Sequence, residues 1–237
     1  MLQYYNNVVR GTEREDMQVI LQFFAGMIGE RFSFLNYYKE IPVSYDATLL
    51  SVENEMAEFA IHEYQAKVIN IERKALIHSH PKGFFKDDMV GEVFYVNSSK
   101  KRVILCRFAY AHIYSQMRQF VRVFLECPVE ADIKLEGGVV KGNVKSLSVG
   151  GAAMNIMSSD LLVPGLDVDI LFKLPDYNCN AVVEVGIGAT VLRVIGESAP
   201  FSCIVEFHTD KLSQQQISYY INQRQVQIIK ELKELNA

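Results

Sequence analysis

Two arginines in the middle of the chain could together grip an anion. Arg118 and Arg122 are separated by three residues and directly precede a strand-like pattern at Val123, Leu125 and Val129. A guanidinium forms paired hydrogen bonds with phosphate oxygens, and its flat face stacks on aromatic rings. On a flexible linker the two side chains can close over a ligand, whereas on a helix this spacing puts both on one face. The pair is therefore a candidate site for an anionic ligand that carries rings.

A serine-rich turn that ends in two glycines follows the arginines. The Ser148 hydroxyl and backbone N–H can both donate to a phosphate or a base. Gly150 and Gly151 let a ligand approach the backbone, and Gly151 removes a side chain there or permits a positive φ. Alone, each element is weak evidence, because R-x-x-x-R is usually a solvated helix face and S-x-S-x-G-G is usually a turn. Their order beside strand-like segments favours a ligand site.

The two elements together resemble the signature of the PilZ domain, the bacterial receptor module for cyclic di-GMP (c-di-GMP). That signature is R-x-x-x-R followed by [D/N]-x-S-x-x-G. The arginines match its first half, and Ser148 and Gly151 match its second half, whereas Ser146 stands where the family has Asp or Asn. The resemblance implies that the arginines contact phosphate and guanine. It implies a ligand site formed by Arg118, Arg122, Ser146, Ser148, Gly150 and Gly151.

The departure at Ser146 concerns how the guanine base would be recognised. A carboxylate or amide at this position would accept hydrogen bonds from the N–H groups of guanine, whereas serine is shorter and a weaker acceptor. Losing one charge-assisted hydrogen bond costs about 1.5–3 kcal/mol, or roughly tenfold to a hundredfold in affinity. A bridging water would reduce that loss. We therefore expect weakened binding, with a degenerate PilZ adaptor that no longer binds nucleotide as the alternative.

The length of 237 residues suits two domains. The PilZ resemblance covers residues 118–236, and the preceding part is similar in plan to the N-terminal barrel of flagellar-brake proteins. We predict a PilZ-N/flagellar-brake-like β-barrel domain over 1–114, a linker carrying the arginines over 115–122, and a PilZ domain with a C-terminal helix over 123–237. The predicted fold class is mainly β, with two small β-barrels, the first split-barrel-like, plus an N-terminal and a C-terminal helix.

Local patterns give the individual elements. A capping box at Thr12 and Glu15 opens an amphipathic helix, for which Gly29 is a plausible stop. A second helix is predicted from about Ser213, with an apolar stripe that includes Ile217 and Ile221 and packs on the barrel or its mouth. Short β-rich segments fill the rest, and they lie at 47–52, 56–61, 67–71, 74–78, 89–96, 102–109, 129–135, 139–146, 152–156, 167–174, 181–195 and 202–207.

Composition excludes several other classes of function. The net charge is −4 and no basic tail is present, so we expect no nucleic-acid binding. The sequence shows neither a signal-peptide plan nor an apolar run of about 18 residues, which predicts a cytoplasmic protein with no membrane span. The four cysteines lack C-x-x-C spacing and are predicted to be buried reduced thiols rather than zinc ligands. His78 and His80 have ligand spacing, but a polar strand end is the favoured interpretation.

No catalytic residue, metal site or cofactor is predicted, so the chain is not expected to be an enzyme. The leading hypothesis is a c-di-GMP receptor in which the ligand orders the linker and changes the geometry between the two barrels. Its output would be contact with an unidentified protein partner, such as flagellar or envelope machinery, in motility, adhesion or biofilm control. The protein would be a monomer or a homodimer. A flavin-binding split-barrel enzyme has little support.

Overall fold

A computed structural model describes residues 4–79, 87–114, 120–179 and 181–235. Contacts between Cα atoms group the chain into two units, one of residues 1–38, 42–119 and 230–237, the other of residues 39–41 and 120–229. The predicted domain limits stay predictions, since most of the linker lies outside the described residues. The elements in chain order are β1 (Tyr5–Val8), α1 (Glu13–Ala25), β2 (Arg31–Tyr38), β3 (Ile41–Glu53), β4 (Met56–Ala60), α2 (Glu63–Glu72), β5 (Lys74–Ile77), β6 (Asp88–Asn97), β7 (Arg102–Ile113), β8 (Arg122–Leu135), β9 (Gly138–Ser148), β10 (Gly151–Ile156), β11 (Asp167–Asp176), β12 (Ala181–Ile195), β13 (Phe201–Phe207) and α3 (Lys211–Glu234).

The first unit is a six-stranded barrel with one extra strand. Its order is β7-β4-β3-β2-β5-β6, and β6 pairs back with β7, while β1 adds to the other side of β7. The predicted capping box is confirmed: the Thr12 side chain accepts from the Glu15 N–H, and Glu15 reaches back to Thr12. The α1 helix ends at Gly26 rather than at the predicted Gly29. Helix α1 thus begins where local chemistry predicts.

Phenylalanine rings fill the core of this first barrel. The Phe24 ring of α1 is fully buried and meets Phe32, Phe59 and Phe108 edge-to-face, with centroid distances of 5.2, 5.7 and 5.2 Å. Edge-to-face pairs place the positive rim of one ring on the negative face of another, which adds to the burial of apolar area. Helix α1 is therefore held to the barrel by an aromatic cluster.

The strand predicted at 67–71 is wrong, because these residues lie in helix α2. The apolar residues Val68 and Ile69 suggested a strand, but the buried side chains of this segment follow a helical spacing. A buried polar network attaches the helix to the sheet: Gln65 donates to Asn36 at 2.6 Å, and Asn36 donates to Glu72 at 2.5 Å. Burial raises the pKa of Glu72, which the bond from Asn36 partly offsets.

The second unit is a closed barrel in the order β10-β13-β12-β11-β8-β9. Its interior is a single apolar cluster with Val123, Leu147, Met154 and Phe172 among the fully buried residues. Inward residues alternate with outward ones along each strand, as barrel closure requires. The predicted fold class, mainly β with two barrels and helices at the two ends of the chain, is confirmed.

The C-terminal helix α3 begins two residues before the predicted Ser213. Asp210 is its N-terminal cap, because its carboxylate accepts from the Ser213 N–H at 3.1 Å. The predicted apolar stripe does pack on the barrel, since Ile217 and Ile221 belong to the core cluster of the second unit. Among the residues that the structure describes, no helix combines the length and the apolar character needed to cross a bilayer.

The cysteines differ from the prediction that all four are buried. Cys203 is fully buried in the second barrel and Cys106 is half-buried, but Cys127 and Cys179 are exposed. Burial raises the pKa of the Cys203 thiol to about 11. Strand-like surroundings therefore identified only one thiol that is shielded from solvent, because residues on the outer face of a barrel strand share the same local sequence pattern.

Candidate functional site

Arg122 is the first residue of strand β8, so it stands on the barrel and not ahead of it. Its side chain is half-buried, and the next residue, Val123, is fully buried in the barrel core. Strand pairing places Arg122 directly opposite Ser148 of β9. Arg118, the other predicted arginine, lies outside the described residues. The structure thus brings one half of the predicted arginine pair to the serine-rich turn.

The turn itself joins β9 to β10 and is fixed by hydrogen bonds. Ser148 and Gly151 are paired across it, and the Ser148 hydroxyl donates to the Gly151 carbonyl at 3.0 Å. The Gly150 carbonyl accepts from the Phe207 N–H of β13 at 3.0 Å. Three strands therefore hold this turn, which makes it a rigid edge of the barrel.

Gly151 is required by the neighbouring strand. A Cβ atom at this position would overlap the backbone carbonyl oxygen of Val205, well inside the 3.0 Å that real Cβ atoms keep. Its φ is not positive, so of the two predicted reasons for glycine only the removal of a side chain applies. The close approach is to strand β13 of the protein itself. This glycine is therefore explained by packing, whether or not a ligand also uses the space.

Gly150 has a different neighbour, the ring of Phe120. A Cβ atom on Gly150 would stand 2.8 Å from Cδ2 and 3.0 Å from Cε2 of that ring. Phe120 lies between the two predicted arginines in sequence, and its side chain is 46% exposed. The ring therefore rests on the turn with much of its surface open, which places Phe120 against the serine-rich element.

Ser146 and Ser148 lie on the outer face of the barrel, yet both are buried, with 3% and 7% of their surface exposed. Ser146 pairs with Phe124 on one side and with Ala153 on the other. Ser148 is thus paired with Arg122, and Ser146 is paired two residues further along β8. Their hydroxyls are not open to solvent in this structure, so neighbouring side chains would have to move before Ser146 could contact a ligand.

One row of paired residues crosses the outer face of the barrel through the site. Of the residues beside the row, Val123, Leu147 and Val205 point inward and are buried, as strand alternation requires, whereas Val121 is exposed. The row consists, in order across the strands, of Arg122, Ser148, Gly151, Glu206, Thr190 and Asp167. It carries a cation at one end, small residues in the middle and carboxylates on the far side. Such a surface can bind a ligand that has both an anionic group and hydrogen-bond donors.

Three members of this row, Glu206, Thr190 and Asp167, were not predicted from the sequence. Glu206 is exposed and pairs with Gly151. Asp167 accepts from the Thr190 hydroxyl at 2.6 Å and lies 3.3 Å from Nε2 of His208. The bond from Thr190, followed by the charge of His208, lowers the pKa of Asp167. The one sequence signal for Glu206 was its position, as the outward residue between the inward Val205 and Phe207.

The other candidate sites are weaker. Nδ1 of His78 is 3.2 Å from the Asp88 carboxylate, and the bond from His78 counteracts burial and lowers the pKa of Asp88. His80, its predicted companion, lies outside the described residues. Within the described residues, no group of three or more His, Cys, Asp or Glu side chains could hold a metal ion. His78 is accounted for as a polar residue that directly follows strand β5.

An apolar depression of about 330 Å³ lies between α3 and strands β11 and β12. Leu174, Val185 and Tyr220 are among its lining residues, and the described residues that line it include no arginine or lysine. A phosphodiester would find no cationic partner among these described residues, and burying an anion without one is costly. The row through Arg122 is therefore the better candidate, although it is a surface and not a cavity.

One family model and several solved structures are similar to this chain. Residues 116–223 match the family model of the PilZ domain. Among solved structures, the chain is similar to the Bacillus subtilis inhibitor of motility, with 15% identity over 84% of this chain and 97% of that chain and a TM-score of 0.43. Escherichia coli YcgR in complex with c-di-GMP shows 9% identity over 98% and 97%, with a TM-score of 0.45. The K. pneumonia MrkH–c-di-GMP complex shows 14% identity over 95% and 100%, with a TM-score of 0.47. No curated protein matches the chain.

Proposed function

This chain carries a PilZ domain at residues 116–223, and from that premise we propose that it is a non-enzymatic receptor for c-di-GMP. The observation that carries the proposal is the strand register around the turn. It brings Arg122 opposite Ser148, whose partner on the other side is Gly151, so two motif halves that are distant in sequence meet on one edge of the barrel. A phosphodiester anion bound there would face a guanidinium and the backbone of a rigid turn.

The proposed ligand suits these groups chemically. An arginine can fork onto a phosphate oxygen pair and also stack on a guanine face, which a lysine does less well. The rigid turn lowers the ordering cost of binding, because three strands already hold it in place. Arg118 and Arg122 are assigned to phosphate and guanine contacts, and Ser146, Ser148, Gly150 and Gly151 to the opposite side of the ligand.

We further propose that binding orders the segment 115–122 and changes the geometry between the two units. The resulting surface would contact a protein partner in motility, adhesion or biofilm control. The arginine segment is the physical link, because it joins the two units in sequence and supplies the groups that bind the ligand.

Isothermal titration calorimetry with c-di-GMP tests the proposal on the full chain. We expect Arg122→Ala and Arg118→Ala each to weaken binding about tenfold or more, since each removes a charge-assisted contact. Arg193→Ala is the matched control, because Arg193 is an exposed arginine of the same barrel outside the site. Absence of heat with the unmodified chain, or equal binding by all three variants, would refute the proposal.

The second candidate function is a degenerate adaptor that acts through protein contacts alone. It is favoured by the burial of Ser146, which leaves no exposed acceptor at the position where the family carries Asp or Asn. Ser146→Asp distinguishes the two functions. A chain that binds nothing until this change restores affinity is the adaptor, whereas a chain that already binds is the receptor.

A further inference from the structure

Glu206 lies where its carboxylate can reach a ligand held at the turn. It is exposed in strand β13 between Val205 and Phe207, whose side chains are buried in the barrel core. Its partner across the strands is Gly151, and on the far side of Gly151 comes Ser148. Because Gly151 has no side chain, nothing at that position separates Glu206 from the serine-rich turn.

A ligand that carries guanine needs an acceptor at this place. The N–H and NH₂ groups on one edge of guanine are donors, and a carboxylate can accept from both. Ser146 cannot provide this in the structure described, because it is 3% exposed and uncharged. Asp167 is in the same row, but it lies two strands beyond Glu206 and accepts from Thr190. Glu206 is therefore the carboxylate of the row nearest to the turn.

We propose that Glu206 reads the guanine edge of the ligand in place of the acidic or amide residue that position 146 lacks. The inference rests on the proposed function and adds a specificity residue to it. Arg122 and Glu206 are three strand spacings apart along the row, about 14 Å. Both side chains are long, so the phosphate side of the ligand can face Arg122 while one base faces Glu206.

Glu206→Gln tests the assignment with little change in size. An amide keeps one acceptor and gains donors, so it loses the second contact to guanine and instead matches adenine, which presents an acceptor beside an NH₂ group. We expect calorimetry to show about 10- to 100-fold weaker binding of c-di-GMP. The affinity for cyclic di-AMP, which has the same phosphodiester ring, should rise. Glu184→Gln, at an exposed glutamate of strand β12 outside the row, should change neither affinity.

A double variant adds a second measurement. If Glu206 replaces the missing acid, Ser146→Asp should recover c-di-GMP binding in the Glu206→Gln background and should add little to the unmodified chain. Far-UV circular dichroism checks that each variant is folded. If Ser146→Asp does not fold, the affinities of Glu206→Gln for c-di-GMP and cyclic di-AMP alone test the role of Glu206.

The outcomes separate the two proposals. A chain that binds c-di-GMP, with Glu206→Gln leaving both affinities unchanged or lowering both equally, overturns the role of Glu206 and leaves the receptor function intact. A chain that binds neither dinucleotide overturns the proposed function and the role of Glu206 with it. Loss of c-di-GMP affinity together with a gain for cyclic di-AMP supports the role of Glu206.

Discussion

Replacing each of the two adjacent glycines by alanine should give very different stabilities. At Gly151 the new methyl group would overlap the Val205 carbonyl, which belongs to the backbone of a paired strand and cannot rotate away. At Gly150 the methyl group would meet the Phe120 ring at 2.8 Å, and that side chain is 46% exposed and free to turn outward. The same chemical change thus meets a fixed obstacle in one case and a movable one in the other.

The expected changes in the free energy of unfolding follow from these neighbouring atoms. Overpacking against a fixed neighbour costs about 1–3 kcal/mol, and strands β10 and β13 must separate to relieve it, so Gly151→Ala should lie at the upper end of that range. The free energy of unfolding of Gly150→Ala should be within about 0.5 kcal/mol of that of the unmodified chain. Alanine also restricts the unfolded state, and this gain offsets the cost of displacing the ring. Neither glycine has a positive φ, so backbone strain does not contribute to the difference.

Urea unfolding followed by circular dichroism measures the contrast. With a slope of about 2 kcal/mol/M, Gly151→Ala should lower the midpoint of the affected transition by roughly 1.5 M and Gly150→Ala by less than about 0.3 M. Hydrogen exchange should show faster exchange in β10 and β13 for Gly151→Ala only. Equal midpoints for the two variants, or a larger loss for Gly150→Ala, would refute the reasoning.

Three further predictions concern single groups. The pKa of Glu72 is raised above its ordinary value of 4.5. The contribution of this carboxyl group to stability is therefore fully present below pH 4.5 and is lost as the pH rises through the raised pKa. Glu72→Gln should flatten this part of a profile of melting temperature against pH. With its pKa near 11 and its side chain buried, Cys203 should resist a thiol reagent at pH 8 until the chain unfolds, whereas exposed Cys127 should react at once, as mass spectrometry of the labelled peptides would show. Asp210→Ala should lower the melting temperature and Asp210→Asn should largely preserve it, since asparagine also caps helices; equal losses would contradict the cap.

Features fixed by neighbours in sequence were predictable, as helix α1 shows. Thr12 and Glu15 satisfy each other's backbone groups within one turn, so the sequence pattern contains the whole interaction. The strand prediction for residues 67–71 was wrong for the opposite reason. Val68 and Ile69 suit a strand locally, but Gln65 and Glu72 attach the helix to Asn36, which is distant in sequence.

The candidate site likewise has features that the sequence predicts and others that it does not. The residue types of the turn were visible in sequence, and the family resemblance placed Arg122 near Ser148. The pairing of Gly151 with Glu206 depends on the closure of the barrel, which joins strands that are far apart in sequence. No local pattern indicates which outward residue of β13 lies beside the turn, so Glu206 became a candidate only through the register.

The contact between Gly151 and strand β13 also affects how related sequences should be compared. Any substitution at this position adds a Cβ atom that meets the Val205 carbonyl, so selection for a folded barrel is enough to retain the glycine. A descendant that had stopped binding nucleotide would still keep it. The glycine is thus retained for the packing of the barrel, whereas the loss of the exposed Glu206, which has no such clash to avoid, would record a change of ligand.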